Sequence, residues 1–242
     1  MGSEKSPVNL FWTGGWDSTF RLCDLIFNQG RCVKPIYILD HERKSFREEV
    51  MTMVLIKRLI DARVPECLIH PLEIVLKEDI PQAQEVSQLY HNLVKKYSRL
   101  GTQFEWLTRF AQWKGLNDIE IAIEANGFSP SAPVFLKLQE NIIQDGSNNI
   151  LCDHPADPSL ELFRPFHFPL IKIWKTEMVR MSKEYSFFDI LEKTWFCHKP
   201  LNGLPCGVCK PCVSVMNEHM GFRMPLSGKI RFRLKNLVHL KK

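Results

Sequence analysis

The chain of 242 residues has no stretch approaching the ~18 consecutive apolar residues of a membrane-crossing helix, which excludes a helical membrane protein. Its polar start, MGSEKSPVN, has no apolar core of an export signal, so no membrane partner and a cytoplasmic location are expected. Internal repeats and low-complexity linkers are missing as well, which argues against solenoids and arrays. Acidic residues are absent from Gly221 onward, where Arg223, Lys229, Arg231, Arg233, Lys235, Lys241 and Lys242 supply all the charge. The net charge of +5 is therefore a property of the tail, because the preceding residues carry slightly more acid than base.

What is present suits one soluble α/β unit: 45% hydrophobic residues can fill a core at this length. The most informative stretch is Thr13-Gly14-Gly15-Trp16-Asp17-Ser18-Thr19. It lies between an apolar strand-like run, Val8 to Trp12, and a run from Asp17 to Asn28 with Phe20, Leu22, Leu25 and Ile26 at helical spacing. Paired glycines let a backbone turn tightly and approach a ligand. A helix starting near Asp17 would aim its free N–H groups and positive dipole end at phosphate, with the hydroxyls of Thr13, Ser18 and Thr19 as further donors. An ordinary turn with a helix cap explains the same residues. The Gly-Lys-Ser/Thr ending of a Walker loop is missing, so a nucleotide would be held in another way.

Eight cysteines without an export signal point to metal or buried thiols rather than disulfides. Cys23, Cys32, Cys67 and Cys152 are scattered and read as small buried apolar residues. Cys197, Cys206, Cys209 and Cys212 are clustered, and their spacing is that of a chelate. Four thiolates close a tetrahedral structural site, so zinc is expected, with an iron–sulfur cluster as the competing assignment. His198 adjoins Cys197 and reads as a neighbour of the site rather than a ligand.

Strand and helix signals alternate, which predicts a parallel sheet with crossover helices. The expected strands are Val8 to Trp12, Pro35 to Leu39, Cys67 to Leu72, Ile119 to Ile123 and Asn149 to Cys152. The expected helices are Ser45 to Ala62, Glu85 to Tyr97, Thr102 to Trp113, Val134 to Gln144 and Lys172 to Tyr185. Asp40 and His41 follow the second strand, at the sheet edge where ligands bind in open α/β folds, so Asp40 is a candidate nucleotide ligand; capping and solvation explain it nearly as well. The organisation expected is a nucleotide-binding domain over residues 1–190, a four-cysteine lobe over 191–222 and a basic extension over 223–242. Within that extension, Lys229 to Lys235 alternates apolar and basic residues, which predicts a strand that either edges its own sheet or meets an anionic or protein partner.

The glycine loop resembles the Ser-Gly-Gly-x-Asp-Ser signature of the PP-loop ATP pyrophosphatases, with Thr13 in place of serine. Together, the loop and the late Cys-x8-Cys-Gly-x-Cys-x2-Cys element resemble the 7-cyano-7-deazaguanine synthases, the QueC family. Thr194-Trp195-Phe196-Cys197, Gly221-Phe222, and Pro169-Leu170 followed by Lys175-Thr176-Glu177 extend the likeness over most of the chain.

The resemblance implies a Rossmann-like PP-loop fold with a small zinc lobe, and an ATP-dependent ligase. Such an enzyme adenylates 7-carboxy-7-deazaguanine, admits ammonia to give an amide, and converts the amide to a nitrile. It implies that Thr13, Gly14, Gly15, Asp17, Ser18 and Thr19 bind the pyrophosphate end of ATP, and that Asp17 holds magnesium. Lys175 would face phosphate or developing negative charge, against the alternative of a solvent-facing helix lysine. The family's Asp-, Gly- and Tyr-rich middle segment is replaced here by IEIAIEANGFSPSAPVFLKL from Ile119, so the acid itself is less closely specified than the use of ATP. Two further readings follow. One is a QueC-like enzyme of an anti-phage operon that passes the activated acid to a protein acceptor; the other is a non-catalytic zinc-containing binding subunit. A homodimer is allowed by either.

Overall fold

Alternation along the first strand gives it two apolar faces, Val8, Leu10 and Trp12 on one side and Phe11 on the other, and the fold buries both. The computed structural model of the chain describes residues 6–64, 68–125 and 132–239. In order, these form β1 (Val8–Phe11), α1 (Trp16–Cys23), β2 (Val33–Leu39), α2 (Phe46–Asp61), β3 (Glu73–Leu76), α3 (Gln84–Tyr97), α4 (Gln103–Lys114) and β4 (Ile119–Glu120). There follow α5 (Ala132–Glu140), β5 (Ile142–Asp145), β6 (Asn148–Leu151), β7 (Phe166–His167), α6 (Lys175–Glu184), α7 (Phe188–Leu191), α8 (Lys210–Asn217) and α9 (Leu226–His239).

Five strands make one parallel sheet in the order β3-β2-β1-β4-β7. The order reverses between β1 and β4, and the crevice beyond the carboxyl ends of these strands is where an open α/β sheet receives ligands. Ile36, Ile38, Phe110, Ile119 and Phe166 pack with Phe11 on one face, while Phe20, Met53, Ile56 and Phe187 pack with Leu10 and Trp12 on the other. Arg21 fixes α1 to the sheet across the crevice: its Nε lies 2.6 Å from Glu120 Oε2, and a terminal nitrogen lies 2.7 Å from Asp24 Oδ2. The fold is thus of the α/β class, built on one parallel sheet.

Three segments depart from the sequence expectation. The strand expected from Cys67 to Leu72 begins at Glu73 instead; Ile69 makes one bridge to Val33, and Pro71, which has no N–H to give a ladder, separates the two. Cys67 lies outside the described residues. The helix expected to run on to Gln144 stops at Glu140, and the chain turns back through β5 and β6, an antiparallel hairpin around Gly146 at φ +57° rather than a parallel strand.

The basic tail is helix α9, not a strand. Lys, Arg and Leu are good helix formers, and Leu226, Ile230, Leu234 and Leu237 recur at the three- and four-residue steps of a helix. Among the described residues this segment joins no sheet.

Candidate functional site

The loop after β1 is shaped by Gly14, whose φ of +68° and surroundings require glycine. A β-carbon there would lie 3.1 Å from Met53 Cγ and 3.2 Å from the Glu49 carbonyl oxygen. Helix α1 begins at Trp16 with Gly15 as N-cap, and no side chain caps it, so its first-turn N–H groups are directed at the crevice. Ser18 Oγ accepts from the Thr13 N–H at 3.3 Å and lies 3.2 Å from Thr13 Oγ1, holding the two hydroxyls side by side. Thr19 faces away: it is buried, and its hydroxyl accepts from Trp12 Nε1 at 2.9 Å.

Asp17 stands in the first turn of α1 with Oδ1 sealed from solvent and unpartnered. Burial raises its pKa to about 7, opposed by Lys175 and reinforced by the charges of Glu124 and Glu218. Lys175, the first residue of α6, places Nζ 2.9 Å from Glu124 Oε1 and 2.9 Å from Glu218 Oε2. Burial works against its charge, but Asp17, Glu124 and Glu218 outweigh that and hold the ammonium above the ordinary lysine range.

Arg223 closes the same corner. Its guanidinium lies 5.0 Å from the ring centre of Trp16 and 4.9 Å from that of Phe196, and it donates to the Thr194 carbonyl at 2.8 Å. Burial lowers its pKa to about 10, with Asp17 and Glu218 opposing, so it stays charged at neutral pH.

These groups border a cleft of about 1030 Å³ whose lining includes Thr13, Gly15, Asp17, Lys175, Glu218 and Arg223. A smaller recess of about 170 Å³ shares Thr13, Asp17 and Ser18 with the loop and is otherwise walled mostly by apolar groups such as Phe11, Ile36, Trp106 and Ile121, with Arg43 and Gln103 at its polar side. The size and lining are those of a small-molecule site with convergent polar groups. Asp40 does sit at the end of β2, but its carboxylate binds Lys77 Nζ at 3.1 Å and the Glu42 N–H at 3.1 Å, and it does not border the cleft. Arg43 takes that position, 3.0 Å from buried Glu49 and 3.3 Å from His198 Nε2. Trp16, Arg43, Glu218 and Arg223 were not foreseen from sequence. Trp16 lies in the loop itself but reads as an apolar helix residue, whereas Arg43, Glu218 and Arg223 meet the loop only through long-range folding, and Glu218 and Arg223 follow the cysteine element by a few residues without a motif of their own.

Cys197, Cys206, Cys209 and Cys212 come together with all Sγ atoms within 4.8 Å of one another. The Cys197–Cys209 and Cys206–Cys212 separations are both 3.8 Å. Sulfurs around a tetrahedral zinc with bonds of ~2.3 Å are about 3.8 Å apart, so the donor set fits that metal. Main-chain N–H groups point at the sulfurs, from Cys206 to Cys197 Sγ at 3.2 Å and from Cys209 to Cys206 Sγ at 3.3 Å. His198 is not in the group; burial and then the Arg43 charge hold its pKa below the histidine norm. Of the scattered thiols in the described residues, Cys23 is buried while Cys32 and Cys152 are only half-buried.

The two centres are joined directly. The Trp195 N–H donates to the Gly14 carbonyl at 2.9 Å, so the segment leading into the cysteines is anchored on the glycine loop.

No curated protein matches the chain. The family model described as Queuosine biosynthesis protein QueC matches residues 10–223, a span that takes in the loop, Lys175, all four cysteines and Arg223. A match over most of the chain, on a parallel sheet with a glycine loop at its crevice and a four-cysteine lobe beside it, places the protein in the QueC family of ATP-utilising PP-loop synthases.

Proposed function

We propose that the protein uses ATP to adenylate a carboxylic acid, 7-carboxy-7-deazaguanine or a close relative, and converts it through an amide to a nitrile. A carboxylate oxygen bonds to the α-phosphorus of ATP as the bond to the β-phosphate breaks, and pyrophosphate leaves. Ammonia then displaces AMP. The amide oxygen then bonds to the α-phosphorus of a second ATP and expels a second pyrophosphate, and elimination of AMP with loss of the two amide N–H protons leaves the nitrile.

The observation that carries this reading is the juxtaposition, at one loop, of free helix N–H groups, an unpartnered carboxylate oxygen on Asp17 and the ammonium of Lys175. Thr13, Gly15 and Ser18 suit the pyrophosphate end of the nucleotide, and Thr19 supports the loop from behind by fixing Trp12. The apolar recess suits a flat base. Asp17 would hold magnesium, which when bound neutralises the departing pyrophosphate. Lys175, kept charged between Glu124 and Glu218, lies ready to meet negative charge growing on phosphate. The four cysteines would hold zinc in a structural role, stiffening the wall that carries Glu218 and Arg223.

A second reading keeps the adenylation and replaces ammonia by an amine of a protein acceptor. The width of the cleft and its wall of Ala122 and Ile123, in the stretch that departs from the family pattern, favour it. The test incubates protein, ATP, magnesium, ammonium and 7-carboxy-7-deazaguanine and identifies products by mass spectrometry. Nitrile supports the first reading, and AMP without nitrile the second. With neither AMP nor pyrophosphate, from this acid or a panel of deazapurines, the chain is left as a non-catalytic binding subunit.

A further inference from the structure

Helix α9 lies beyond the span of the family match, yet it is seated directly on the cysteine element. Gly207 has φ +79°, and a β-carbon there would lie 2.1 Å from the Gly228 carbonyl oxygen, so the two backbones touch. The same face of α9 carries Arg231 and Lys235, three and seven residues after Gly228. Arg231 donates from Nε to the Cys206 carbonyl at 2.7 Å and from a terminal nitrogen to the Pro205 carbonyl at 3.1 Å. Lys235 Nζ donates to the Val208 carbonyl at 3.0 Å.

Two of these carbonyls belong to peptide groups that serve the sulfurs. The Pro205 carbonyl shares its peptide with the Cys206 N–H, which donates to Cys197 Sγ. The Val208 carbonyl shares its peptide with the Cys209 N–H, which donates to Cys206 Sγ. A cation on the oxygen end of a peptide polarises its N–H and strengthens the bond made at the other end. Four thiolates around one divalent ion leave the centre anionic, and these two cations lie where they offset that charge.

We infer that α9 is the outer shell of the four-cysteine centre, with Arg231 and Lys235 as positioning residues that hold the Pro205–Cys206 and Val208–Cys209 peptides and polarise them toward the sulfurs. The inference rests on the proposal that the cysteines hold zinc. Outer-shell partners of this kind are worth roughly 10–100-fold in metal affinity. Arg233, two residues from Arg231 on the same helix, is exposed, makes no hydrogen bond to the cysteine element among the described residues, and provides the matched control.

The experiment loads the full-length protein with zinc and follows its transfer to a chromogenic chelator. Arg231→Ala should weaken zinc by about 10–100-fold, Lys235→Gln should act in the same direction to a smaller extent, Arg231→Lys should restore part of the loss, and Arg233→Ala should match wild type. Replacing zinc by cobalt gives a readout independent of folding: the sulfur-to-cobalt charge-transfer band should shift in Arg231→Ala and Lys235→Gln but not in Arg233→Ala. If Arg231→Ala does not fold, the exposed Lys235→Gln carries the test. Zinc release and cobalt spectra equal to the Arg233→Ala control overturn the inference. A wild type that takes up no zinc instead overturns the metal reading beneath it.

Discussion

Gly14 in the loop after β1 and Gly207 in the cysteine element share one backbone device, φ values of +68° and +79° with another segment packed where a side chain would go. The surroundings differ. Near Gly14, the fold leaves Asp17 Oδ1 and Trp16 Nε1 without partners and the α1 N-terminus uncapped. Near Gly207, the N–H groups of Cys206, Val208 and Cys209 all reach a sulfur, and the outward carbonyls are taken by α9. Buried polar groups are normally paired, and Asp17 Oδ1 and Trp16 Nε1 are unpaired at residues that line the cleft, where the proposed ligand would meet them. The cysteine element satisfies itself apart from a metal. On the proposed reading, one region is built to bind and release and the other to stay closed.

The strongest way to break this contrast is to remove the acceptor at the open region. Asp17→Ala should lower turnover on the order of 10³-fold or more while leaving the melting temperature within a few degrees of wild type, as removal of a charge-positioning group does. Normal turnover would show that the loop does not face the reacting phosphates. At the closed region the pattern reverses: Cys209→Ala should lose bound metal, measured by mass spectrometry of the metal, and with it a share of stability large against the ~5–15 kcal/mol of a whole domain. A metal-free wild type of equal stability in urea would end the contrast.

The glycines themselves give a smaller effect. Gly14→Ala should cost about 1–3 kcal/mol through strain at positive φ. Gly207→Ala should cost more, because its β-carbon would meet the Gly228 carbonyl oxygen at 2.1 Å and push α9 off the cysteine element. Chemical denaturation ranks the two, and equal losses would remove the distinction.

The smallest effect is on pH dependence. Asp17 binds its proton more tightly in the folded chain, with a pKa of about 7 against the ordinary 3.8. Its contribution to stability is therefore fully present below about pH 4 and is lost as pH rises through about 7. Without nucleotide or divalent metal, wild type should lose a few degrees of Tm between about pH 5 and about pH 8 relative to Asp17→Asn, which has no proton to lose. Parallel curves would show that Asp17 is not desolvated as described.

The open region and the cysteines were legible in the sequence because both are local. A strand, two glycines and a helix adjoin within twenty residues, and the four cysteines fall within sixteen. What escaped is what distance in sequence hides. Trp16 reads as one more apolar helix residue, and its stacking on Arg223 arises only when the chain returns after two hundred residues. Asp40 does lie at the sheet edge that the pattern predicts, but Lys77, just past the end of β3, claims its carboxylate. The hairpin carries a signal in its two-residue connection, Gly146-Ser147, between Ile142–Asp145 and Asn148–Leu151. In the tail, Ile230, Phe232 and Leu234 alternate as in a strand, but the contacts that fix the segment come from Gly228, Arg231 and Lys235, which share one helical face.

The most direct test of the central claim, that the open loop activates an acid by expelling pyrophosphate, is exchange of radiolabelled pyrophosphate into ATP. Label should enter ATP when 7-carboxy-7-deazaguanine is present, should not enter without an acid, and should not enter with Asp17→Ala. Formation of ADP and phosphate, or exchange that ignores both the acid and Asp17, would contradict the account.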